Sequence, residues 1–201
     1  STSRMTIQQA MRQLIIEGLV YTRQGQGTFI RKNFHQLSQW ELAGSDYFGA
    51  TQTWKDKGTV SSEVVRFELR FPDETEQTSL LIGADAPVYD FIRLRLLNGE
   101  PMSLDATIMP VSLVPGLNKS HLESSVFRYI QQTLGLKMMG SYRVVRALKP
   151  NALDMQYLNC QETDPVMEVE QVIYLEDGTP LEYAHCHYRY DHSGIVIVNN
   201  G

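Results

Sequence analysis

The chain has 201 residues and a mass of 22.9 kDa, which allows one or two domains. Its apolar content of 42% and charged content of 20% are those of a globular protein and exclude disordered and fibrous classes. The longest apolar runs, such as Ile195-Val196-Ile197-Val198, fall far short of the roughly 18 residues that cross a bilayer, and the first residues lack the basic, apolar, small-residue pattern of a leader. Two cysteines, Cys160 and Cys186, suit a reduced cytoplasm rather than a disulfide framework, so a cytoplasmic location without membrane contact is expected. The net charge of −5 is uneven. Residues 1–32 carry Arg4, Arg12, Arg23, Arg31 and Lys32 against Glu17, a balance of +4, which leaves −9 for the remainder. A small basic piece on an acidic body suggests a polyanion-binding end, although five charges also cluster by chance.

In chain order, Ser3 is a candidate N-cap, followed by Ile7, Met11, Leu14, Ile15 and Leu19 at helical spacing, with Gly18 as the stop. Leu19–Thr22 and Thr28–Ile30 flank the tip Arg23-Gln24-Gly25-Gln26-Gly27, which predicts a hairpin. Residues 33–59 are weakly patterned, yet hold Trp40, Tyr47, Phe48 and Trp54. This reads as a linker docked on the next domain, with room for a short helix. Strands are expected over 60–71, then 87–97 and 101–110 as a hairpin around Asn98-Gly99-Glu100. A helix over 121–134 ends at Gly135, a strand covers 137–149, and a short helix capped by Asn151 reaches Asn159. Strands 166–175 and 180–190 bracket Glu176-Asp177-Gly178-Thr179, and 195–198 closes the chain. Long hairpins with few helices predict an α+β domain on an antiparallel sheet.

The first helix presents Ser3, Arg4, Met5, Thr6 and Gln8 at its N-terminal turn, donors suited to phosphates and base edges in a major groove. The glycine-rich tip pairs a cation and amides with a backbone that can approach a minor groove. By residue type alone, a solvated surface helix fits as well. In the second half, period two puts Arg93 and Arg95 on one strand face and Leu94 and Leu96 on the other. Two like charges about 7 Å apart repel unless an anion or carboxylate lies between them, so the pair fits either an anion site or a solvated face paired with acids. Asp105 lies on the partner strand. Glu182 and Tyr188 share a face of the last long strand with Cys186. Two arginines, carboxylates and a phenol together describe a pocket for a phosphorylated sugar or similar polyol anion. His185 and His187 share the opposite face, but with only distant His192 or His121 to join them they read as sheet histidines rather than a zinc site. A regulatory Cys160–Cys186 disulfide has equally little behind it.

The stretch Ser3-Arg4-Met5-Thr6-Ile7-Gln8-Gln9-Ala10-Met11-Arg12-Gln13-Leu14, with Glu17-Gly18-Leu19-Val20 and Gln24-Gly25-Gln26-Gly27-Thr28-Phe29-Ile30, resembles the winged helix-turn-helix of GntR-type bacterial repressors. The resemblance implies that Ser3, Arg4, Met5 and Gln8 face DNA and that Gln24, Gly25 and Gln26 form the wing. The family's two preceding helices are not in this sequence, which suggests a partial head that binds DNA poorly. Residues 87–110, Leu122-Glu123-Ser124-Ser125-Val126-Phe127 and Asp177-Gly178-Thr179-Pro180-Leu181-Glu182-Tyr183 resemble the UTRA effector domain of the HutC-type branch. That resemblance implies a six-stranded antiparallel sheet of chorismate-lyase type. It also implies a partial winged helix over 1–32, a linker over 33–44 and an effector-binding, dimerising domain over 45–201. By the same resemblance Arg93, Arg95 and Ser125 would hold an anion, helped by a loop spanning Lys57, Gly58, Thr59, Val60, Ser61 and Ser62. Asp105, Glu182 and Tyr188 would read the rest of the ligand, with Asp105 standing where a glutamate is more usual. The expected protein is a ligand-responsive, homodimeric repressor that binds operator DNA, with no cofactor and no metal. A lyase acting on an aryl carboxylate, or a dimerisation module with a vestigial pocket, are the alternatives.

Overall fold

The computed structural model describes residues 3–16, 19–30, 58–191 and 194–195. The expected linker with its four aromatics, Lys57, and Val196–Val198 of the last expected strand lie outside the described residues. The chain divides into two compact units, Ser1–Gly44 with Gly194–Gly201, and Ser45–Ser193.

In the first unit, α1 (Arg4–Ile16) starts at Ser3, whose Oγ accepts from the Thr6 backbone N–H at 3.2 Å. Strands β1 (Val20–Arg23) and β2 (Gly27–Ile30) pair antiparallel from Val20↔Ile30 to Arg23↔Gly27, as the two β-prone runs predict. Gly25 and Gly27 have φ of +74° and +109°, backbone that a side chain would strain. Met11, Leu14 and Ile15 are half-buried, whereas Ile7 is 54% exposed, so the apolar stripe is only partly covered.

The second unit is one six-stranded antiparallel sheet in the order β3-β4-β5-β8-β7-β6. Its strands are β3 (Val60–Arg70), β4 (Val88–Leu97), β5 (Glu100–Pro110), β6 (Met138–Leu148), β7 (Val166–Leu175) and β8 (Pro180–Arg189). The α+β, antiparallel architecture expected from the hairpins is present. The β4–β5 turn is a two-residue loop, because Asn98 and Gly99 both take positive φ, +53° and +86°, matching the twist of the flanking strands. Strand β4, flanked by β3 and β5, is buried along almost its whole length because both of its faces are covered.

One face carries the core cluster of Phe91, Met109, Leu122, Val126, Ile130 and Ile173, closed by α3 (Lys119–Glu123) and α4 (Val126–Arg128), the latter continuing as a π-helical turn over Tyr129–Thr133. The expected single helix over 121–134 is therefore broken. Ser124 leaves helical geometry at φ −99°, ψ −97°, and Ser125 restarts the helix by capping the Arg128 N–H. The Ser124 hydroxyl donates to the Ser120 and His121 carbonyls at the end of α3, while Ser125 Oγ accepts from the Arg128 N–H at the start of α4, so side-chain bonds close one helix and open the next.

The opposite face carries two clusters. Leu80, Val88, Ile108, Val172 and Tyr183 pack under α2 (Glu74–Leu80), while Ile92, Leu94, Leu104, Leu158 and Val166 pack under α5 (Ala152–Tyr157). Helix α2 is absent from the sequence reading. Its signal is a capping box: the Asp73 side chain accepts from the Glu76 N–H, and Glu76 accepts from the Asp73 N–H. The helix is only seven residues long, too few for periodicity to register. Asp90 anchors this end, accepting from Arg66 and Arg70 at 2.6 Å each, and Arg70 reaches on to Glu76.

Candidate functional site

Strand register aligns the sequence-predicted effector residues in rows on the α3–α4 face. Ser62, Arg95, Ser103 and Tyr188 form one row across β3, β4, β5 and β8, and Val64, Arg93, Asp105 and Cys186 form the next. Phe91, Thr107 and Ala184 follow, and Glu182 lies one step beyond Ala184 on the same strand face. The Arg93 guanidinium sits 5.3 Å from the centroid of the Phe91 ring, so the side chain leans along β4 toward the Glu182 end. Ser125, capping α4, belongs to the helices over this face. Its Oγ accepts from Arg128, which leaves its own O–H to donate. Ser61 does not join them. It opposes Leu96, one register position from the Ser62–Arg95 pair, so it points to the other face and is exposed. Val60–Ser62 are strand rather than loop, which corrects that part of the expected anion-binding loop.

The charge arrangement is unusual for a sheet interior. Arg93, Arg95, Asp105 and Glu182 are all buried. Arg95 donates to Ser62 Oγ at 2.5 Å, and its Nε lies 3.3 Å from Asp105 Oδ2, an ion pair too misaligned to form a hydrogen bond. Asp105 Oδ1 accepts from Ser103 at 2.8 Å. Arg93 Nε and Nη1 and Arg95 Nε have no hydrogen-bond partner among the described residues. Burial, then the Arg95 charge, lowers the Arg93 pKa to about 10 against the opposing pull of Asp105 and Glu182. Burial raises Glu182 to about 7, with Asp105 adding to the rise and Arg93 and Gln171 opposing it. The Tyr188 phenol and Cys186 thiol are pushed well up, chiefly by burial, and Cys186 is inert as a nucleophile at neutral pH. Orphaned buried N–H groups cost about 1–3 kcal/mol each, a cost that an oxygen-bearing anion removes.

Three residues of this strip escaped the sequence reading. Gln171 on β7 donates to Glu182 Oε1 at 2.9 Å and accepts from Arg143 Nε at 3.0 Å, so its amide is fixed in one orientation, and Ser103 holds Asp105. Period two along β7 was the available signal, but it places a residue on a face without saying which neighbour lies across.

His185 and His187 lie on the opposite face in a polar chain. Asp154 on α5 bonds His187 Nδ1 at 2.9 Å, and Glu168 bonds His185 Nδ1 at 2.9 Å. His185 Nε2 meets Tyr183 Oη, which donates to Glu170. Burial lowers the His187 pKa, but its bonds to Asp154 and Glu168 outweigh that and leave it raised. His121 instead stacks on Tyr129 at 3.8 Å and closes the capping box of α3. Among the described residues no group of three or more His, Cys, Asp and Glu side chains is disposed to hold a metal. Cys160 and Cys186 are free and face opposite sides of the sheet. An open pocket of about 280 Å³ also lies on this opposite face, beside Ser79, Tyr142, Tyr174 and Tyr183. It contains none of the orphaned donors, so the candidate site is placed by those donors and not by that concavity.

In the first unit Ser3, Arg4, Met5 and Gln8 are exposed along the start of α1, and Gln24, Gly25 and Gln26 form the exposed hairpin tip. At the base of that tip, Arg23 lies 5.5 Å from the Tyr21 ring centroid and 6.0 Å from that of Phe29. The stacked Tyr21 and Phe29 rings thus hold a cation beside the hairpin tip.

An exposed helix followed by a hairpin, together with a six-stranded antiparallel sheet with arginines buried on one face, is the make-up of a transcription regulator. The chain belongs to the GntR family of bacterial regulatory proteins, whose model matches residues 1–30, and carries a UTRA domain over 56–193. It is 38% identical to the HTH-type transcriptional regulator GmuR of Bacillus subtilis, over 99% of this chain and 84% of that protein. It is 31% identical to the HTH-type transcriptional repressor NagR of the same organism, over 94% and 76% of the two chains. Among solved structures, YydK of Bacillus subtilis, described as a possible transcriptional regulator, superposes with a TM-score of 0.79 at 26% identity, covering 100% of this chain and 84% of that one. No helix among the described residues is long and apolar enough to cross a membrane.

Proposed function

We propose that this chain is a homodimeric repressor whose UTRA domain binds a small anionic effector, a phosphorylated sugar, on the α3–α4 face of its sheet. The observation that carries this reading is the set of three buried guanidinium N–H groups on Arg93 and Arg95 without acceptors. Planar guanidinium forks match phosphate oxygens, Ser125 and Ser62 add hydroxyls, and Asp105, Glu182 and Tyr188 offer partners for sugar hydroxyls. A carboxylate would satisfy the arginines as well, and the adjoining hydroxyl-reading groups favour a polyol phosphate. Ser3, Arg4, Met5 and Gln8 then read the operator, with Gln24, Gly25 and Gln26 at the wing. Ligand that binds one dimer arrangement better than the other shifts the separation of two such heads. A coupling of about 1–3 kcal/mol changes operator affinity roughly 5–150-fold.

A thermal-shift panel of hexose and hexosamine 6-phosphates beside the same free sugars tests the reading. At about 100 times its Kd a ligand adds about 2.7 kcal/mol, several degrees for a chain of this size. A shift with a phosphosugar and none with its free sugar supports the proposal. Shifts with free sugars alone refute the anion site.

A further inference from the structure

The rows around Arg93 hold two buried cations, Arg93 and Arg95, and two buried carboxylates, Asp105 and Glu182, so the cluster is close to neutral before any ligand enters. An arriving dianion breaks that balance in a region screened from water, where charge interactions are strong. One of the two carboxylates is well placed to relieve the excess. Asp105 already has a hydroxyl donor in Ser103 at 2.8 Å and an ion-pair partner in Arg95 at 3.3 Å. Among the described residues Glu182 has one hydrogen-bond donor, the neutral Gln171 amide on Oε1, and the cation that acts on it most strongly, Arg93, makes no hydrogen bond to it. The other groups that face Glu182 are Asp105 from β5, Arg143 from β6 through Gln171, and Cys186 on its own strand. The burial that already weakens its acidity acts in the same direction as an incoming anion.

Resting on the anion-site reading above, we propose that ligand binding here is proton-coupled: as an anion settles on Arg93 and Arg95, Glu182 takes one proton from solvent. The carboxylate becomes a neutral carboxylic acid, which turns it from a pure acceptor into a hydrogen-bond donor toward the ligand's oxygens. One proton leaves the buffer, one O–H bond forms on Glu182, and no other group changes state. The consequence is a specificity rule: the site favours ligands rich in acceptor oxygens, and its affinity for dianions rises with acidity.

Inorganic sulfate is the probe, because it stays dianionic across the working range and adds no protons of its own. Sulfate binding to the 201-residue chain is measured by calorimetry between pH 6 and pH 9. At pH 7.5 it is repeated in two buffers of different ionisation enthalpy, which counts protons taken up. The expected result is uptake of about half to one proton per sulfate at pH 7.5, with affinity falling by up to about tenfold per pH unit above pH 7. Glu182→Gln is expected to bind sulfate with a flat pH profile and no proton uptake. Gln171→Met removes the one donor to the ionised carboxylate and is expected to move the falling limb to higher pH, which covers the case in which Glu182→Gln fails to fold. His185 and His187 lie on the other sheet face, His121 lies on α3 stacked against Tyr129, and all three remain in both variants, so they cancel in the comparison. Sulfate binding that needs Arg93 but shows no proton uptake overturns the coupling alone. A pH slope that survives in Glu182→Gln overturns the role of Glu182. No sulfate binding at any pH, or binding unaffected by Arg93→Met, overturns the anion site and the coupling with it.

Discussion

Replacing Arg93 by methionine is expected to raise the stability of the ligand-free protein and to weaken anion binding, two effects of opposite sign from one substitution. In the free protein Arg93 is 5% exposed, with Nε and Nη1 unpartnered, and its pKa is lowered from 12.5 to about 10. That shift corresponds to about 3 kcal/mol by which the fold disfavours the charged side chain at neutral pH. Methionine nearly matches the volume, packs on Phe91 and removes both orphaned donors. Against this, Asp105 and Glu182 lose a neighbouring cation, so the measurement belongs near pH 6, where Glu182, with a pKa of about 7, is largely neutral. A net gain of about 1–2 kcal/mol is expected, roughly 2–8 °C in Tm for a domain of this size. Anion affinity is expected to fall by about 2–5 kcal/mol, since one fork of a buried charge pairing is lost. Differential scanning fluorimetry with and without sulfate reads both numbers. A Tm lowered by the substitution without ligand would refute the reasoning, because Arg93 would then be a structural ion-pair member and not a donor held in wait.

Other outcomes follow from the same geometry. Glu182, raised to about 7, and His187, raised above its ordinary value, both bind protons more tightly when folded. Their stabilising contributions are present at low pH, that of Glu182 fading between about pH 4.5 and 7 and that of His187 as pH climbs from about 6.5 through its raised value. Thermal melts across pH 5–8.5 are expected to show a falling Tm whose upper limb flattens in His187→Asn; an unchanged upper limb would remove His187 from the account. Asp73→Ala deletes the side-chain half of the α2 capping box and is expected to cost about 1 kcal/mol, read by urea denaturation. Gly58→Ala places a methyl 2.3 Å from Asn98 Oδ1, at the close approach where Thr59 N–H donates to that oxygen, and is expected to destabilise the start of β3 by about 1–3 kcal/mol. In a chain with an intact reading head, Arg4→Ala is expected to weaken operator binding and reduce its salt slope by about one, leaving effector affinity unchanged; an unaltered slope would mean that Arg4 does not touch phosphate.

Much of this protein was legible in one dimension. The hairpin turn at Asn98-Gly99, the Ser3 cap, the Asn151 cap and the alternation that sorts Arg93 and Arg95 from Leu94 and Leu96 are local, set by φ preference, side-chain acceptors and the two-residue period. Tertiary structure decided everything that depends on which strands become neighbours. The order β3-β4-β5-β8-β7-β6 brings Asp105 between Arg93 and Cys186, 81 residues further along the chain than Asp105, and carries Gln171 to Glu182. It also turned Ser61 away from the site, because the register of β3 on β4 alternates faces with each residue. Periodicity tells a residue which side of its own strand to face; which groups stand opposite, and how deeply they are buried, arises only when the sheet closes under its helices. That burial is what leaves guanidinium donors without acceptors and a carboxyl near neutrality, properties that no stretch of this sequence holds by itself.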